Sequence, residues 1–64
     1  MIPYQERVKN EVFELDRKIR DLNTFISENR TFHFLEDADQ KLLTEQYLAM
    51  LNYSSILHQR IARF

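Results

Sequence analysis

Tyr53 and Arg60 stand one heptad apart in the stretch YSSILHQRIARF, and Gln46 lies one heptad before Tyr53. A phenol ring offers a flat stacking surface, and a guanidinium offers a planar donor fork suited to phosphate. An amide donates and accepts at the same time. Aromatic, cation and amide in one row suit a nucleotide. They also suit an ordinary oligomer interface, where Tyr and Arg are enriched.

Residues for turnover are harder to assemble. His33 falls near the middle of the chain and His58 near one end, so the two are not expected to share a metal, and each reads as a surface residue. Ser54 and Ser55 have no evident base. There is no His-Glu-x-x-His, no phosphate-cradling glycine loop and no nucleophile elbow. Glu36, Asp37 and Asp39 read as acidic residues at a helix start, where the dipole favours them. The expectation is a binding protein, with no enzyme activity, no metal and no cofactor.

The elements that carry these residues follow from periodicity. Val8, Val12, Leu15, Ile19, Leu22 and Ile26 alternate spacings of four and three, the mark of one helical stripe in heptad register. Leu43, Tyr47, Met50, Ser54, Leu57, Ile61 and Phe64 do the same. Pro3 suits a first helical turn, because its missing N–H would lack an intrahelical partner anyway. The spacing predicts helix one over about 3–28, a loop over about 29–36 and helix two over about 37–64. Asn29 is expected to end helix one in a left-handed conformation, Asp37 and Gln40 to cap helix two, and Phe64 to be packed as a core position. Phe32 and Leu35 should fold back over the tip. The fold class is therefore all-α: an antiparallel two-helix hairpin resembling a coiled coil, forming one domain over residues 1–64.

With Val12, Ile19, Tyr47 and Ser54 at heptad position a, position g holds Tyr4, Glu11, Lys18 and Phe25 on helix one. On helix two it holds Asp39, Gln46, Tyr53 and Arg60. Position c of helix two adds Leu42, Ala49, Ile56 and Arg63, so one flank of that helix is a mixed ribbon. Charges at such flanking positions commonly pair across helices, which is the plain expectation for Glu11, Lys18 and Arg60. Phe13, Leu42, Leu48, Leu51 and Ile56 lie off the main stripes. A single hairpin of this size extracts little stability from its own core, so self-association into a homo-oligomer is expected to cover them.

Composition narrows the class further. Glycine and cysteine are absent and proline occurs once, which disfavours tight β-turns and excludes disulfides and cysteine-based zinc sites. Nine Lys+Arg against ten Asp+Glu, with the signs interspersed, give a net charge of −1 and argue against DNA or RNA binding. No apolar stretch approaches the roughly 20 residues of a membrane span, and the first residues do not resemble a signal peptide. An intracellular protein is expected.

The elements Tyr4-Arg7-Val8, Glu14-Leu15-Lys18-Ile19 and Leu22-Phe25-Ile26, followed by Gln46-Met50, Tyr53-Ser54-Leu57 and Arg60-Ile61-Phe64, resemble a widespread family of very small bacteriophage proteins. The likeness covers nearly the whole chain apart from the central loop. It is similar to the phage anti-CBASS sponges, which oligomerise and sequester the cyclic dinucleotide that triggers bacterial defence effectors. The resemblance implies a binder without turnover, acting in the cytoplasm of the infected host. A cyclic dinucleotide such as 3′,3′-cyclic GMP-AMP carries two anionic phosphates and two purine faces. Chemistry then assigns Arg7, Lys18 and Arg60 to phosphate, Tyr4 and Tyr53 to base stacking, and Gln46 to a base edge. Glu11 could orient an arginine or read a guanine edge. The alternative is an oligomeric helical module that docks on a host or phage protein.

Overall fold

A computed structural model describes residues 2–64. It contains α1 (Pro3–Glu28), α2 (Arg30–Phe34) and α3 (Asp37–Ala62). The described chain is all-helical, with α1 and α3 packed along each other in an elongated body of 46 × 15 × 13 Å.

The two stripes meet where the heptad pattern places them. Val8, Val12, Leu15, Ile19 and Leu57 form the buried core, flanked by Tyr47, Met50 and Ile61. Leu57 is only 1% exposed and is the most completely enclosed side chain. Ser54, at the middle of the α3 stripe, is also buried. A small residue there lets the helices approach closely. Pro3 occupies the first turn of α1, after Ile2 in extended backbone.

The connection departs from a plain loop. Asn29 is not left-handed: its φ and ψ are −88° and 125°. Its N–H still reaches Phe25 O at 3.2 Å, while its side chain turns forward and accepts the Thr31 N–H at 2.8 Å. Asn29 thus ends α1 and starts the short helix α2, satisfying an orphan donor of the second element. Phe32, on α2, is buried and meets Phe25 edge-on with ring centroids 6.2 Å apart. Leu35 is half-buried beside the tip.

The expected Asp37–Gln40 cap does not form. Glu36 is the N-cap of α3 and makes no side-chain cap bond. Gln40 instead donates backward to Leu35 O at 3.0 Å, with His33 O at 3.4 Å. Its amide ties the end of α2 to the start of α3. The unpaired N–H groups of α3 have Asp37 and Asp39 nearby, which favours the positive end of the helix dipole.

The far end also departs from the heptad expectation. α3 stops at Ala62, so Phe64 lies beyond the helix and is 40% exposed. It is not a core residue. Its ring meets Tyr4 edge-on at 5.5 Å, which closes the open end of the hairpin with an aromatic pair.

Candidate ligand-binding flank

The axial register of α1 and α3 is marked by Asp16. Its carboxylate accepts the Ser54 hydroxyl at 2.6 Å through Oδ1 and faces His58 Nε2 at 3.2 Å through Oδ2. Asp16 and His58 both occupy heptad position e, so this contact defines one side of the seam. Position g of both helices consequently forms the other side.

All seven residues expected to bind a ligand fall on that other side. Tyr4, Arg7, Glu11 and Lys18 come from α1, at positions g and c. Gln46, Tyr53 and Arg60 come from α3, at position g. Each is exposed. In the register set by Asp16, Glu11 lies at the level of Arg60 and Lys18 at the level of Tyr53. Tyr4 sits at the end of the row against Phe64.

The row is long. Fourteen residues separate Tyr4 from Lys18 and Gln46 from Arg60, a rise of about 21 Å at 1.5 Å per residue. No single dinucleotide on one chain touches all seven. The flank therefore divides into an end group of Tyr4, Arg7, Glu11 and Arg60, and a middle group of Lys18, Gln46 and Tyr53. Gln46 directs Nε2 toward Met50 Sδ at 3.8 Å, a weak contact that leaves its amide available.

Glu11, Lys18 and Arg60 do not form the cross-helix ion pairs expected of flanking charges. Among the described residues, the close ion pairs are Arg17–Glu14 at 2.6 Å and His58–Asp16 at 3.2 Å. The cations of the flank are thus not neutralised by a neighbouring carboxylate within bonding distance. Two grooves on the surface lie near the hairpin tip. One is lined by residues including Phe32, Gln40 and Lys41, and the other by residues including Asp21, Phe25 and Asn29. None of the seven residues lines either groove.

Asp16 was not among the candidate residues, although its position beside a core stripe marks it as a seam residue. The Ser54 hydroxyl holds its carboxyl below the ordinary aspartate value against the opposing effect of burial, and His58 and Arg20 add to the lowering. This cluster is not a nucleophilic arrangement. Asp16 itself holds the Ser54 hydroxyl and meets His58 through its other oxygen. Catalytic order would require the imidazole between serine and carboxylate. His58, read from the sequence as a lone surface histidine, is exposed but engaged.

Fold and flank define a small all-helical hairpin with one polar, aromatic side and no metal-binding cluster of His, Cys, Asp and Glu among the described residues. The family model for sequestin matches residues 2–63, and the chain belongs to the sequestin family. It is also 39% identical, over all of its own length and 98% of the other chain, to an uncharacterized 7.5 kDa protein from the denB–rIIB intergenic region of Enterobacteria phage T4. These findings place it in a family of small phage proteins. No solved structure matches the chain. No helix among the described residues is long and apolar enough to cross a membrane.

Proposed function

We propose that this protein is a phage counter-defence sponge, a homo-oligomer that binds and withholds a cyclic dinucleotide in the host cytoplasm without cleaving it. The observation that carries this reading is the g flank. It displays Tyr53, Arg60 and Gln46 from α3 beside Lys18, Glu11 and Arg7 from α1, with none of the cations locked in a close ion pair. The family name, sequestin, accords with withholding a ligand rather than transforming it.

Association of copies supplies what one hairpin lacks. Leu42 and Ile56 are exposed beside the row of Gln46, Tyr53 and Arg60. Burying them against a second chain would bring two sets of these side chains around a symmetry axis. A cyclic dinucleotide has two bases and two phosphates, so a twofold site needs few residue types. Tyr53 and Tyr4 would stack on bases, Arg60, Arg7 and Lys18 would meet phosphate, and Gln46 and Glu11 would face base edges. Walls contributed by two chains also account for a binding flank that is open on one chain.

The test is thermal denaturation with and without 3′,3′-cyclic GMP-AMP, followed by recovery of the nucleotide from denatured protein. A marked rise in Tm and release of intact ligand are expected. No shift across a broad panel of cyclic nucleotides would remove the reading. Arg60→Ala should weaken binding by more than about tenfold, or about 1.4 kcal/mol, while helicity and assembly mass stay as in the parent.

A second reading has its own observation. Phe13 and Phe34 are exposed away from the proposed pocket, and apolar helix faces suffice for docking on a protein. Under it, affinity capture from infected cells returns one dominant host or phage protein, and Phe13→Ser or Phe34→Ser abolishes that capture while nucleotide has no effect.

A further inference from the structure

The Asp16 cluster raises a question that the apolar core does not answer. Both stripes repeat every seven residues, so sliding α1 along α3 by one heptad still sets apolar residues against apolar residues. The connection does not forbid such a slide. Residues 29–36 are partly coiled into α2, and an uncoiled segment reaches farther than a helical one. Hydrophobic contact is non-directional and discriminates weakly between the two alignments.

The polar residues discriminate strongly. In the observed alignment, Ser54 and His58 both meet Asp16. Ser54 is only 8% exposed, so its hydroxyl depends on a partner within the protein. A slide that lowers the α3 position opposite Asp16 by one heptad would place Tyr47 and Leu51 there. The carboxylate would lose both donors, and Lys9 would replace Asp16 opposite His58. A slide the other way would put Ile61 opposite Asp16 and carry the rest of its facing surface past the end of α3. The titratable and charged groups facing Asp16 in the observed alignment are His58 across the seam and Arg20 one turn along α1. The Arg20 cation favours a carboxylate there, and His58 presents Nε2 to it at 3.2 Å.

We infer that Asp16, with Ser54 and His58 as its partners, is a positioning residue that sets the axial register of α1 against α3. Through that register it levels Glu11 with Arg60, and Lys18 with Tyr53, on the opposite side of the seam. The first half stands on the hairpin alone. The second half rests on the proposed ligand-binding role of that flank. A polar contact at a helical seam is suited to this task, because it selects one alignment while adding little net stability.

The chain has no cysteine, so paired nitroxide labels can be placed by Thr24→Cys and Gln59→Cys. Both positions are exposed and neither belongs to the proposed binding row. Dipolar spectroscopy on labelled protein diluted in an excess of unlabelled protein then reports the intrachain separation. The parent should give a single distance. Asp16→Leu combined with Ser54→Ala removes the polar contact and leaves only His58 without its partner, and that side chain is exposed to water, so folding is retained. That variant should acquire a second population, longer by up to about 10 Å, the rise of one heptad. Asp16→Asn keeps an acceptor for Ser54 and should restore the single parental distance. If the Leu/Ala variant keeps only the parental distance, register is set elsewhere and the inference falls.

The same variants are titrated with 3′,3′-cyclic GMP-AMP. The Leu/Ala variant should bind at least about threefold more weakly, and Asp16→Asn like the parent. A shifted register with unchanged affinity would overturn the link to the binding row. Should the parent itself not bind the nucleotide, the sponge reading fails, and the distance measurement still decides the register.

Discussion

Asp16 shows how much a single side chain carries in a hairpin this thin. Its lowered pKa has a definite consequence for acid stability. The unfolded chain protonates near the ordinary aspartate value of about 3.9, while the folded chain holds the carboxylate to lower pH. In that interval the unfolded state binds more protons, so stability rises with pH there. The contribution is fully present above the ordinary value and is lost as pH falls through the folded one. Asp16→Asn should flatten this acid limb in Tm measured against pH, with little change in slope above pH of about 5. The carboxylate is 38% exposed, so solvent screening keeps the effect modest. An acid limb as steep as the parent's would show that another group governs it.

Helix ends and core layers set the next scale. Asn29 serves both neighbouring helices, giving its N–H to Phe25 O and its side-chain oxygen to Thr31. Asn29→Ala should cost about 1 kcal/mol and speed amide hydrogen exchange at Thr31 and its neighbours in α2, with α1 and α3 nearly unaffected. Exchange at Thr31 unchanged by the substitution would exclude the capping role. Leu57 is the opposite case, a residue whose loss is felt everywhere. Leu57→Ala removes the most enclosed side chain in the core and should destabilise by about 2–5 kcal/mol. A domain of this size seldom draws more than about 3–5 kcal/mol from its own core, so the isolated hairpin should be largely unfolded in urea titrations at 25 °C.

At the scale of the whole molecule, α3 is apolar on more sides than α1 can cover. Leu42 and Ile56 are exposed on one flank, and Leu48 and Leu51 lie exposed on the other. The row of Glu45, Asn52 and Gln59 between them is polar and exposed. Such a distribution suits a helix with several neighbours, which is the physical basis for the proposed homo-oligomer. Ile56→Lys should lower the assembly mass seen by sedimentation or native mass spectrometry while far-UV circular dichroism changes little. An unchanged mass would exclude the Ile56 flank as an interface. Sedimentation of the parent as a stable monomer at micromolar concentration would remove the pocket walls on which the sponge reading depends.

The two long helices, their apolar stripes and the side of the hairpin on which Tyr53 and Arg60 stand are legible from residue spacing. These follow from a local period, and each helix encodes that period without reference to the other. Asn29 is legible as a turning point too, although not the manner of the turn: an Asn can bend left-handed or cap the next helix, and only the burial of Phe32 against Phe25 favours the second. Phe64 fitted the stripe, but the helix stops before it and its ring finds Tyr4 instead. Which turn of α1 lies beside which turn of α3 emerges only on folding. A heptad repeat is degenerate to sliding, and the contact that breaks the degeneracy joins Asp16 to Ser54 and His58, far apart in sequence and adjacent only after folding.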